Sequence, residues 1–163
     1  MSNGPNGPKA SPSKIASLLN PDAIRLELQN RQKVPALREV AELLAHSKCV
    51  GDFEAFFNEI LERERNSNTA MGHGAAIPHA RTDQCSEILV AVGRSREGVD
   101  FEAKDGQPVR LIFLIGTPKQ MVTEYLRVMG TLARLLRQDD LRQRLLDAPD
   151  VTTFIKIIEA AES

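Results

Sequence analysis

The sequence predicts an α/β fold: a mixed β-sheet in a single domain, sandwiched by helices on both faces. Three observations carry this. Apolar residues recur at helical spacing in the first third of the chain and again in the last third. Two runs rich in apolar and β-branched residues, Ile88–Val92 and Val109–Ile115, lie between them. The second run is apolar almost throughout, which suits a central strand covered on both faces. Helices before and after such strands bury their stripes by packing on the two faces of one sheet.

Each element has its own local signal. Residues 1–14, MSNGPNGPKASPSK, have almost nothing to bury and read as a flexible tail, with residues 15–163 as the domain. Ile15–Leu19 is a short apolar patch stopped by Asn20-Pro21. Ile24, Leu26 and Leu28 alternate with Arg25, Glu27 and Gln29, the period of a half-buried strand. Leu37, Val40, Ala41 and Leu44 fall at helical spacing. Cys49-Val50-Gly51-Asp52 breaks that helix, and Asp52 can cap the next. Phe53, Phe56, Phe57, Ile60 and Leu61 then form a strong stripe with three of the chain's seven aromatic residues.

Asn66–Arg81, NSNTAMGHGAAIPHAR, is turn chemistry with small residues. Within it Ala75-Ala76-Ile77 could pair as a short strand. Asp105-Gly106 is a turn signal between the two apolar runs, and Gly116-Thr117-Pro118 ends the second. Tyr125, Val128, Met129, Leu132, Leu135 and Leu136 share one helix face. Asp139 or Asp140 can cap a short helix carrying Leu141, Leu145 and Leu146. Asp150 can start a last helix with Phe154, Ile157 and Ile158 inward.

Composition removes whole classes of function. The 163 residues carry 21 Lys+Arg against 22 Asp+Glu, a net charge of −1, so the basic surface that non-specific nucleic-acid binding needs is missing. No apolar run approaches the ~20 residues that span a bilayer, and the N-terminus has no signal-type apolar region. Cys49 and Cys85 read as reduced thiols in a cytoplasm. His73, His79 and Cys85 are spaced H-x5-H-x5-C, which matches no common zinc pattern, so no metal is expected. There is no G-x-S-x-G elbow, no P-loop and no dinucleotide-binding fingerprint.

The informative segment surrounds Ile77-Pro78-His79. Gly72 and Gly74 allow tight turning and close approach of a ligand. Pro78 fixes its own φ and restricts Ile77, so the position of His79 is pre-set. A rigidly presented imidazole at a strand end can attack phosphorus or accept a proton. A histidine in such a turn can equally be a surface residue making a local hydrogen bond. Arg63 and Arg65 can be a solvated helix end or a guanidinium clamp for phosphate. Arg127, Arg134, Arg137, Arg142 and Arg144 form a basic helical face, either solvated or a docking surface. His46 has no assignable role.

Arg63-Glu64, then Thr69, Gly72, Gly74 and Ala76-Ile77-Pro78-His79-Ala80, resembles the IIA domain of the bacterial phosphoenolpyruvate-dependent sugar phosphotransferase system. The similarity is to the fructose/mannitol type, which includes the nitrogen-regulatory IIA proteins. It continues through Asp105-Gly106-Gln107-Pro108-Val109-Arg110 and through Leu132-Ala133-Arg134-Leu135-Leu136. The resemblance implies a phosphohistidine carrier with no cofactor or metal. His79 would accept phosphoryl from the phosphocarrier HPr on Nε2 and pass it to a sugar-specific IIB component, or hold it as a signal for a regulatory partner. Arg63 would neutralise the phosphate, with Thr69, Gly72, His73, Gly74 and Tyr125 around it. Many members carry a second histidine early in the long C-terminal helix, where this chain has Tyr125. With no IIB cysteine motif and no membrane span, a stand-alone cytoplasmic IIA component is expected.

Overall fold

The computed structural model describes residues 14–163. The tail expected over residues 1–14 lies outside the described residues, Lys14 apart. A 3-10 turn at Ile15–Leu18 leads into β1 (Leu19–Arg25), α1 (Lys33–Ala41), a second 3-10 turn (Glu42–Leu44) and α2 (Phe53–Asn66). Three short strands follow: β2 (Ala70–Gly72), β3 (Ala75–Ala76) and β4 (His79–Thr82). Next come the long β5 (Leu89–Val99) and β6 (Val109–Pro118), then α3 (Val122–Leu136), α4 (Asp139–Asp147) and α5 (Val151–Glu162).

The sheet is mixed, with order β1-β5-β6-β3-β2, and β4 also pairs with β6. β5 and β6 are antiparallel, while β1–β5, β3–β6 and β4–β6 are parallel. Along β6 the side chains alternate between two cores, as the pleat requires. Leu111, Phe113 and Ile115 face α3, α4 and α5, meeting Val128, Leu132, Leu145, Phe154 and Ile158. Ile112 and Leu114 face α1 and α2, meeting Leu37, Val40, Phe56 and Ile60. This is the expected sandwich. Phe56, Phe113 and Phe154 are each 0% exposed, and each such burial is worth about 2–3 kcal/mol.

Two helix starts follow their sequence signals. Asp52 accepts from Ala55 N at 3.0 Å, and Asp150 accepts from Thr153 N at 2.8 Å. Elsewhere the local reading fails for physical reasons. Asn20-Pro21 does not stop the chain but lies inside β1. Between Leu19 and Ile24 the register with β5 shifts, and β1 is an edge strand, so Pro21 interrupts no ladder that matters. Gly116-Thr117-Pro118 does not end β6, because β4 pairs with these residues from Ala80 to Thr82. The N-cap of α4 is Gln138. Asp139 and Asp140 sit in its first turn, where Asp139 pairs with Arg142.

Candidate functional site

Ala75-Ala76 and His79–Thr82 pair with the same edge of β6, at Leu111–Ile112 and Ile115–Pro118 respectively. Between them Ile77-Pro78 forms a break that stays bonded, since Pro78 O accepts from Ile115 N at 2.9 Å. His79 therefore starts β4 opposite Ile115, at a point set by β6, whose residues are all buried except Arg110. α2 packs on β4 from one side, and Tyr125 reaches the same spot from the first turns of α3. A cavity of about 450 Å³ opens there, with Glu59, Arg63, His79, Arg81 and Tyr125 in its wall.

The His79 ring is only 7% exposed. Its Nδ1 lies 2.9 Å from Ile77 O. A carbonyl can only accept, so Nδ1 carries the proton and Nε2 carries the lone pair. Burial pushes the imidazole below its ordinary pKa of 6.5. The Ile77 carbonyl opposes this, and the Arg63 charge adds to it. The ring is therefore neutral near pH 7. One ring nitrogen is oriented by the backbone, and the other is free to accept.

Arg63 sits in the last turn of α2, and its Nη1 donates to Ser67 O at 3.0 Å. The remaining guanidinium N–H groups are left for the cavity. Arg81 Nη2 donates to Lys119 O at 3.0 Å, and its guanidinium lies 5.8 Å from the Tyr125 ring centroid. The Tyr125 ring in turn lies 5.7 Å from the His79 ring. Two cations, one phenol and one imidazole thus converge, a set suited to holding an oxyanion against a nitrogen nucleophile.

Arg63 and Tyr125 are brought to His79, but the other residues expected around phosphate are not in the cavity wall. Thr69 N and Oγ1 donate to the buried Glu64 carboxylate at 2.8 and 2.6 Å, and Lys33 Nζ closes the cluster at 2.9 Å. This holds the start of β2 in place. Gly72, His73 and Gly74 all have positive φ and form the tip of the β2–β3 hairpin. His73 N donates to Asp105 at 3.0 Å, and Gly74 O accepts from Arg110 N at 2.8 Å. That tip lies beside the start of β6, whereas His79 lies near its end. The register of two-residue β3 with β6 decides this, and no local pattern reports it.

Arg81 and Glu59 were not singled out by the sequence. Arg81 follows His79 by two, so a strand reading of His79–Thr82 would have put both on one face. Glu59 Oε2 accepts from Thr82 Oγ1 at 2.9 Å, while its buried Oε1 has no partner among the described residues. A larger cavity, about 570 Å³, opens beside Arg31, Asp100 and Glu102, and its wall holds no histidine, cysteine, serine or threonine. Among the described residues no cluster of three His, Cys, Asp or Glu could hold a metal. None of the helices described is long and apolar enough to cross a membrane.

The sequence profile of the family described as "Phosphoenolpyruvate-dependent sugar phosphotransferase system, EIIA 2" matches residues 17–161. The chain belongs to this family. A fructose-specific EIIA component of Haloferax volcanii is 38% identical over 138 residues, covering 82% of this chain and 90% of that protein. A fructose-specific EIIABC component of Bacillus subtilis is 35% identical over 145 residues, 89% of this chain. The IIA match spans 23% of that longer protein. The crystal structure of nitrogen regulatory protein IIA-Ntr from Neisseria meningitidis superposes with a TM-score of 0.83 at 30% identity, covering 88% of this chain and 98% of the other. As an EIIA component, the chain is a phosphoryl-carrying part of the phosphotransferase system.

Proposed function

We propose that this chain carries its phosphoryl group on Nε2 of His79, taking it from the phosphohistidine of HPr and handing it to a IIB component. The observation that carries the reading is the bond from Nδ1–H to Ile77 O, which leaves Nε2 as the free nucleophile beside two guanidinium groups. The Nε2 lone pair attacks phosphorus in line. A P–N bond forms at His79, the P–N bond of the donor breaks, and the donor nitrogen keeps the electron pair. No proton needs to move, because the His79 proton already sits on Nδ1. Arg63 and Arg81 neutralise the charge on the equatorial oxygens. As the ring gains positive character, the bond from Nδ1–H to Ile77 O strengthens, which favours the transition state over the ground state.

A IIB acceptor fits the name of the B. subtilis relative, which joins A, B and C components in one protein. The second reading is regulatory: the phosphoryl group at His79 changes the charge of the surrounding surface and so switches binding to a partner. The likeness to a nitrogen-regulatory IIA favours it. Thr69 and the Gly72–Gly74 turn have no contact with phosphate in this proposal. They hold the hairpin that precedes His79. The test is intact-protein mass after incubation with phosphoenolpyruvate, enzyme I and HPr. Wild type gains one acid-labile phosphoryl group and His79→Ala gains none. Equal gain by both proteins rules the assignment out.

A further inference from the structure

At the other end of β6 lies a second cluster of cations that phosphoryl transfer at His79 does not use. Arg94 of β5 is only 2% exposed. Its Nε donates to Leu26 O at 3.2 Å, and its Nη1 donates to Leu145 O and Ala148 O, both at 2.8 Å. The last two carbonyls end α4, so the negative end of that helix offsets part of the buried charge. No carboxylate lies within ion-pair distance of Arg94 among the described residues. Its Nη2 makes no hydrogen bond among them either.

Arg94 lines a cleft of about 210 Å³ together with Arg96 and Arg110. An adjoining lobe of about 290 Å³ shares Arg110 and Gln143 and adds Arg142. Of the nearby acids, Asp139 pairs with Arg142, while Asp147 accepts only from the neutral Gln143 Nε2 and keeps its charge toward Arg94. Arg96 and Arg110 form no ion pair among the described residues. Three guanidinium groups face this cleft against two acids, Asp147 in its wall and Glu27 acting on Arg94, so positive charge is in excess there and favours an anion between them.

We infer that this cleft is a second anion site, and that it takes a small molecule bearing a diphosphate group. Guanidinium forks match phosphate oxygens bidentately. Two joined lobes with Arg110 at their junction suit two linked phosphates rather than one. The site is separate from His79. Arg110 precedes Ile115, the β6 partner of His79, by five residues, or about 17 Å of strand. Across the whole chain acidic residues balance basic ones, 22 to 21, so the cluster is a confined patch rather than a track for nucleic acid.

The experiment is a titration of ¹⁵N-labelled protein with inorganic pyrophosphate at fixed ionic strength, with sulfate in parallel. Shifts centre on the backbone amides of Arg94, Arg96 and Arg110 and on the Arg94 Nε–H. Pyrophosphate binds at least tenfold more tightly than sulfate. Arg96→Ala with Arg110→Ala weakens it at least tenfold, and both residues are exposed, so the fold is kept. Arg63→Ala in the His79 cavity leaves it unchanged. Shifts centred on His79 and Arg81, binding no tighter than sulfate, or full affinity in the double variant would each overturn the inference.

Discussion

At the scale of single residues, the proposed chemistry rests on one hydrogen bond and one neighbouring charge. The Ile77 carbonyl assigns the His79 proton to Nδ1, which under the proposed function leaves Nε2 as the nucleophile. Burial lowers the ring's pKa, which has a definite sign in solution. The folded protein resists protonating His79, so the unfolded chain binds more protons in that range. This contribution disfavours folding at low pH and disappears as pH rises to the ordinary value of 6.5. An NMR titration of the His79 ring is expected to give a midpoint below 6.5, with the acid limb of phosphoryl acceptance at the same position. A midpoint above 6.5 would show that the Ile77 and Glu64 contributions win over desolvation. Arg63→Ala is expected to slow phosphoryl acceptance by about 10²-fold, the usual cost of one lost donor to a developing charge. Single-turnover labelling by phospho-HPr measures it.

At the scale of elements, the placement of His79 depends on how two short hairpin strands are held. Glu64 is 6% exposed and joins α2 to the start of β2 through Thr69 and to α1 through Lys33. Removing its carboxylate leaves Lys33 without its partner and two Thr69 donors unsatisfied. Glu64→Ala is expected to cost about 3 kcal/mol in urea denaturation, and to slow labelling through misplacement of the site. A loss under about 1 kcal/mol would mean the cluster contributes little. Gly116 is the second such point. A Cβ there would lie 2.7 Å from both Cys85 Sγ and the Phe56 ring, where α2 packs on β6. Gly116→Ala is expected to destabilise by about 1–3 kcal/mol through overpacking, read as a drop in thermal midpoint. Burial pushes the Cys85 thiol up to about 12, so it is an inert packing group there.

At the scale of the whole molecule, periodicity reported burial well and partnership poorly. The α2 stripe, the apolar β6 run and the Asp150 cap were legible because each depends on residues close in sequence. The path of β1 through Pro21 was not, since only its edge position and register shift make that proline harmless. The short strand expected at Ala75-Ala76-Ile77 is present as β3, but β4 was not legible, because its pairing with β6 gives a four-residue strand with no periodic signature of its own. The same pairing explains what was legible of the site. His79, Arg63 and Tyr125, singled out for their own chemistry, line one cavity. Gly72 and Gly74 were correctly read as turn residues but turn at the far end of β6. Arg81 and Glu59 went unseen because only the fold places them beside His79.

The most direct measurement for the central claim is where the phosphoryl group resides. Protein with ¹⁵N-labelled histidine would be phosphorylated by phosphoenolpyruvate, enzyme I and HPr, and the ³¹P–¹⁵N coupling assigned within the His79 ring. Coupling to Nε2, with Nδ1 still protonated, is the predicted result. Coupling to Nδ1, or to either nitrogen of His73 or His46, would contradict it.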